Sequence, residues 1–208
     1  MAEMKYNVPN NQWPEHPERA TQEGKNKFAG FWTFLGGETV LFASLFATYL
    51  ALKDSVPSDD HLLAADLFHL ELAFVMTMLL LTSSLTSVYA VYQMRNNNFS
   101  KMQLWLAVTV LLGAGFLALE IYEFYEYVQL GHTFRSSAFG SAFYILIGTH
   151  GFHVIIGLIW ISGLIIRNAT RGLSVYTAAK VNTAALYWHF IDVVWVFIFT
   201  IVYLLGVL

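Results

Sequence analysis

The chain has 208 residues, of which 57% are hydrophobic and only 12% charged. A soluble domain carries about 25% charged residues, so this composition points to an integral membrane protein. A net charge of −3 without a basic aromatic stripe argues against a nucleic-acid partner, and the lack of cysteine excludes disulfides, thiolate ligands, iron–sulfur clusters and a catalytic thiol.

Residues 1–27, "MAEMKYNVPNNQWPEHPERATQEGKNK", are polar and hold three of the four prolines. They lack the apolar stretch of a cleaved signal peptide and read as a polar surface tail. Thr21–Gln22–Glu23–Gly24 is predicted to open a short interfacial helix. Beyond the tail, five runs are long and apolar enough to cross a hydrocarbon core of about 30 Å as helices: 28–52, 67–93, 102–128, 139–166 and 181–205. The runs are unbroken rather than alternating, and open strands in lipid would leave backbone groups unpaired. An all-α membrane domain over 28–208 is therefore predicted.

The connections, "KDSVPSDDH", "RNNNFSK", "GHTFRSS" and "RNATRGLSVYTAAK", carry turn formers and charges. Lys5, Arg19, Lys25, Lys27, Arg95, Lys101, Arg167, Arg171 and Lys180 fall on one side, nine in all; only Lys53 and Arg135 fall on the other. The positive-inside rule places the N-terminus in the cytoplasm and the C-terminus outside. Asp54, Asp59, Asp60 and Asp66 gather on the outer side.

Within the spans lie Glu38, Glu120, His150, His153, His189 and Asp192. Intramembrane ionisable groups face protein or water rather than lipid. His150 with His153, and His189 with Asp192, are three residues apart and share helix faces. Small residues (Gly36, Gly37, Ala43, Ala47, Ala114, Ala118, Gly148, Gly151 and Gly157) accompany them, so the polar faces are expected to be the packed faces. Glu123 and Glu126, further out on the third span, read as solvated interface residues. The aromatic residues read mostly as lipid-facing bulk and interface anchors.

"HGFH" admits three readings: metal ligands completed by His189, Asp192 or Glu38, one half of a bis-histidine haem site, or hydrogen bonding between helices. The last needs no cofactor and is preferred. A stand-alone proton or ion transporter using Glu38, His150 and Asp192 is a further possibility, though no internal repeat supports it. Nucleotide-binding, nucleophile-elbow and zinc-protease motifs are absent.

Four blocks go further. "GGETVLFASLF", "LLGAGFLALEIYEFYEY", "GTHGFHVIIG" and "YWHFIDVVWVFIFTIVYLLG" occur in this order. Each resembles a segment of subunit III of the haem–copper respiratory oxidases, and together the likeness covers nearly everything after residue 27. The five-span length is similar to the short form typical of Gram-positive bacteria. "ASLFATYLAL", "LTSSLTSVYAVY" and "RNATRGL" resemble Bacillus-type cytochrome c oxidase forms, which favours cytochrome c as the electron donor, with subunit III of a quinol oxidase of the same superfamily as the alternative.

The resemblance implies a bacterial plasma-membrane subunit with no haem, copper or other metal of its own, the oxygen-reducing centre lying in subunit I and electron entry in subunit II. It implies two helix bundles around a cleft that holds phospholipid, packing on subunit I with a small subunit IV nearby, and a role in sustaining proton uptake. Glu38 matches the family's carbodiimide-reactive acid. Arg167, Arg171 and Lys180 become candidates for lipid head groups. A histidine of span four is expected to pair with Glu38. Depth counted at about 1.5 Å per residue favours His153 slightly, whereas the resemblance favours His150, which is the expected partner.

Overall fold

The computed structural model describes residues 13–53, 70–129, 134 and 137–207. Five helices dominate it: α1 (Gln22–Leu52), α2 (Leu70–Arg95), α3 (Phe99–Gln129), α4 (Ala138–Arg171) and α5 (Val175–Ile198). A π-helical stretch, Phe199–Leu204, and a last turn, Leu205–Val207, extend α5. All five are long and apolar enough to cross a membrane, and no strand occurs among the described residues. Lys5, Asp54, Asp59, Asp60, Asp66 and Arg135 lie outside the described residues.

The starts of α1, α4 and α5 are set by caps more than by the ends of their apolar runs. Thr21 caps α1, its Oγ1 accepting from the Gly24 N–H at 3.0 Å. The short interfacial helix expected there is instead the start of α1, six residues before the predicted span. Ser137 caps α4 in the same way. Ser174 and Thr177 form a reciprocal capping box on α5, which satisfies N–H groups that a helix start leaves unpaired. Gly172, at φ 74°, closes α4 in a conformation disfavoured for residues with a Cβ. Asn97, at φ 55°, makes the tight turn between α2 and α3, and Asn tolerates that left-handed region. With 31 residues, α1 and α3 are each about 46 Å long. Both exceed the hydrocarbon thickness, so they tilt or project beyond it.

α2 packs along α3, while α5 touches α1, α2 and α4 and so sits at the centre. α1 is the helix least covered by the rest of the chain. Three side-chain hydrogen bonds set the register between α2 and α5. Trp188 Nε1 donates to Ser83 Oγ at 2.9 Å, His189 Nδ1 meets Ser84 Oγ at 2.6 Å, and Trp195 Nε1 donates to Thr77 Oγ1 at 3.0 Å. Going back along α2 from Ser83 to Thr77 matches going forward along α5 from Trp188 to Trp195, as antiparallel helices require. Thr86 and Thr109 share a hydrogen bond of 2.8 Å between α2 and α3.

The Trp188 indole is buried between two glycines. A Cβ at Gly113 would stand 2.6 Å from its Cζ2 and Cη2, and one at Gly157 would stand 2.9 Å from its Cε3 and Cζ3. These glycines let α3 and α4 close on a large ring, the role expected of small residues between membrane helices. The remaining small residues divide otherwise. Ala43, Ala47, Ala114 and Ala118 are exposed, and a Cβ at Gly36, Gly37 or Gly148 meets nothing within 4 Å. Small and polar residues therefore do not share one set of packed faces within this chain. Most described aromatics are exposed or half-buried, but a minority form the core: Trp188, Trp195, Tyr127, Tyr203, Phe116 and Phe143 are among the largest fully buried side chains.

The segment before α1 is likewise more than a surface tail. Pro17–Arg19 forms a 3-10 turn against α1 and α5, and Glu18 is buried within it. Arg95, at the end of α2, donates to Glu18 Oε1 at 2.9 Å, and the Arg19 guanidinium lies 4.0 Å over the Phe28 ring. The polar composition of the segment concealed this docking, since the residues its 3-10 turn buries are one proline, Pro17, and one acid, Glu18.

Gly113→Ala is expected to destabilise the detergent-solubilised protein by about 1–3 kcal/mol through overpacking against Trp188. Gly163→Ala, where a Cβ meets nothing within 4 Å, should leave its thermal unfolding midpoint unchanged or slightly raised.

Candidate functional site

The ionisable residues of the spans separate into four local arrangements. Glu38, midway along α1, meets His153 of α4, with Oε2 and Nε2 3.1 Å apart. His153 Nδ1 lies 2.7 Å from the Thr149 carbonyl oxygen one turn earlier. A carbonyl can only accept, so Nδ1 carries a proton. The Glu38–His153 bond then has two forms. Either the carboxyl O–H donates to a bare Nε2, or a protonated Nε2 donates to a carboxylate. Both side chains are largely buried, and in such a setting the neutral form avoids desolvating two charges. Phe42 stacks obliquely on the His153 ring at 5.2 Å, and the Tyr187 hydroxyl donates to the His153 carbonyl at 3.2 Å. The Glu38 side chain remains 16% exposed, on the open side of α1.

His153, and not His150, is therefore the partner of Glu38, against the expectation drawn from the resemblance. Depth explains the choice. Glu38 stands sixteen residues from the start of α1 at Gln22, while His153 stands eighteen and His150 twenty-one from the end of α4 at Arg171. At about 1.5 Å per residue the His153 mismatch is about 3 Å, and that of His150 is more than twice as large.

His150 turns inward. It is fully buried, with Phe116 edge-on at 5.9 Å and Trp195 tilted against it at 5.3 Å. Glu120 of α3 is buried nearby, its carboxyl lying over Gly151. One turn further along α3, Glu123 is also buried, not solvated as expected. Its Oε1 accepts from Tyr127 at 2.6 Å and its Oε2 from Tyr203 at 2.7 Å. Tyr203 belongs to the π-helical stretch, whose wider turn changes the direction of its side chains relative to α5. The fourth arrangement is His189 with Asp192 on α5. His189 bonds Ser84, and Ser84 also neighbours the Asp192 carboxyl. Among the described residues no three His, Asp or Glu side chains converge in the manner a metal ion needs.

At the end of the bundle that carries the basic residues, a groove of about 430 Å³ opens between α1, α4 and α5, lined by Lys27, Phe31, Phe34, Trp160, Lys180 and Thr183. It brings together Lys180, a predicted head-group candidate, and Lys27, which was not singled out. Arg167 and Arg171, on the last two turns of α4, do not line it. Lys27 also pairs with Glu23 one turn before it, an (i, i+4) pattern visible in the sequence.

The family model described as "Cytochrome c oxidase subunit III" matches residues 15–207. The chain belongs to this family. The protein of that name, cytochrome c oxidase subunit 3, from Bacillus sp. (strain PS3) is 68% identical over 195 residues, 93% of either chain. Its counterpart from Bacillus subtilis (strain 168) is 66% identical over the same share of each. Quinol oxidase subunit 3 of that same strain is 47% identical over 189 residues, covering 91% of this chain and 92% of the relative. With five apolar helices and such relatives, the chain is a multi-pass bacterial membrane protein. The four matching blocks carry the acids and imidazoles just described. Their hydroxyl partners Ser84, Tyr127 and Tyr203 escaped sequence reading because isolated Ser and Tyr residues in a span have no distinguishing pattern.

Of these three acids only Glu38 keeps part of its side chain exposed, while Glu120 and Glu123 are sealed, so a hydrophobic carbodiimide is expected to label Glu38. Glu38→Gln is expected to abolish labelling of this chain. His153→Phe, which removes the hydrogen-bond acceptor, should change the labelling rate, while His150→Phe should leave it unaltered.

Proposed function

We propose that the chain is the non-redox supporting subunit of an aerobic, proton-translocating terminal oxidase that takes electrons from cytochrome c. The carrying observation is a comparison within one organism. Against Bacillus subtilis (strain 168) the chain is 66% identical to cytochrome c oxidase subunit 3 but 47% identical to quinol oxidase subunit 3. Two relatives from one organism differ in name by electron donor, and this chain stands much nearer the first. Oxygen reduction belongs to the whole complex. In this reading the chain carries no catalytic centre, haem or copper, and it packs on subunit I beside subunit II and a small subunit IV.

The open face of α1, with Gly36, Gly37, Ala43 and Ala47 exposed, suits close approach by lipid or another helix. The basic end faces the cytoplasm, a reading supported by the nine-to-two division of lysine and arginine. The groove beneath α1 has two lysines at its mouth and aromatic walls, the chemistry of an anionic phospholipid with its head group at the surface and its chains along Phe31, Phe34 and Trp160. Basic residues near an anionic surface contribute about 1 kcal/mol each. Arg167 and Arg171 add to the same charged end without entering the groove. The Glu38–His153 pair, a proton-bearing unit on the same open side, is the element by which this subunit would sustain proton uptake.

Affinity purification through this chain is expected to recover haem-bearing partners, and the preparation should oxidise cytochrome c but not a quinol. Recovery of a homo-oligomer without haem would refute the assignment, and quinol oxidation would refute the choice of donor. Native mass spectrometry should show phospholipid retention falling several-fold in the Lys27→Gln/Lys180→Gln double variant. A smaller loss is expected for Arg167→Gln/Arg171→Gln, and equal retention in the wild type and both variants would remove the lipid site.

A further inference from the structure

Glu120 and His150 take no part in the pairings that hold Glu38, Glu123 and His189. Glu120 is 2% exposed and His150 0%. Both carboxyl oxygens of Glu120 and both ring nitrogens of His150 are buried without a hydrogen-bond partner in the chain. The two side chains lie at the same α3–α4 interface. The Glu120 carboxyl lies across Gly151, where a Cβ would be 2.8 Å from each of its oxygens, and Gly151 follows His150 directly in α4. Phe116, one turn before Glu120 on α3, contacts the His150 ring at 5.9 Å.

Among the described residues neither group has another hydrogen-bond partner. Phe116 and Trp195 pack edge-to-face at 4.6 Å, closing an aromatic wall round the imidazole. The one donor in that wall, Trp195 Nε1, is committed to Thr77. Glu123, the next acid along α3, is held by Tyr127 and Tyr203. His153, one turn along α4, is held by Glu38 and Thr149. Two orphaned ionisable groups inside a membrane bundle are costly separately, and each has what the other lacks: an acid O–H and an imidazole nitrogen that accepts it.

We propose that Glu120 and His150 form a second acid–imidazole pair, in which the Glu120 carboxyl proton is donated to a His150 ring nitrogen directly or through one water. The HGFH segment then carries two imidazoles for two acids, His153 for the one on α1 and His150 for the one on α3. The two pairs differ in access. The first stands at the open side of α1, and the second is sealed beneath Trp195 and tied to the packing of α3 on α4. Gly151 is the residue that allows the second, since a Cβ there would press on the Glu120 carboxyl at 2.8 Å.

The test is made on the intact oxidase complex. Infrared difference spectra should contain one protonated-carboxyl C=O band that is lost in Glu120→Gln. That band should move to higher frequency, as a free acid does, in His150→Phe, and it should also shift in Gly151→Ala. A band lost in Glu120→Gln but unmoved in His150→Phe overturns the proposal, as does the absence of any such band. Should Glu120→Gln not assemble, a high-resolution density map of the wild-type complex decides. A Glu120 oxygen within hydrogen-bond distance of a His150 nitrogen, or both within that distance of one shared water, supports the pair. Separate partners for the two groups, from lipid or a neighbouring subunit, overturn it.

Discussion

Hydrocarbon offers no hydrogen bonds, so each polar side chain in these spans must be answered by another helix or by its own backbone. Much of the architecture follows from that constraint. α5 carries two tryptophans, a histidine and an aspartate, and it occupies the centre because three helices are needed to satisfy and cover them. Its hydroxyl partners on α2, at Thr77, Ser83 and Ser84, hold an antiparallel register that apolar packing alone would leave free to slide. An indole N–H left without its hydroxyl would cost about 1–3 kcal/mol, so each such bond weighs against every shifted register.

The same constraint explains the glycines. Large rings bring most of the buried area, but a ring as wide as Trp188 would hold α3 and α4 apart. Gly113 and Gly157 remove the side chains that would collide with it. In lipid, apolar surface gains little by leaving its surroundings, and close van der Waals contact carries more of the association. The pairing of one large ring with two absent side chains is thus an energetic device as well as a geometric one.

The acids are graded by cover. Glu38 keeps part of its side chain open on the helix least enclosed by its neighbours, whereas Glu120 and Glu123 are sealed in the interior. A proton on Glu38 is near the open side of α1, and one on Glu120 is enclosed by the bundle. Outside the bilayer level, Glu18 and Arg95 join the segment before α1 to the end of α2, so the basic end of the bundle is braced by an ion pair rather than by apolar contact.

Helix number and approximate span limits were legible in the sequence, because length and unbroken hydropathy suffice to define a crossing, and the charged groups within the spans were conspicuous there. The four blocks also carried the family. Helix ends shifted by up to six residues because caps such as Thr21 and Ser174, not hydropathy, decide where a helix begins. Which histidine meets Glu38 was decided only by tertiary structure. His150 and His153 differ by one turn in depth and by a small rotation about α4, and a one-dimensional pattern cannot say how far α1 is displaced along α4. Burial of Glu123 was hidden for a similar reason: its two tyrosines come from one turn away on α3 and from the π-helical end of α5, eighty residues later. A sequence states which groups must be satisfied in lipid. Only the packed helices, by their offsets and rotations, determine which group satisfies which.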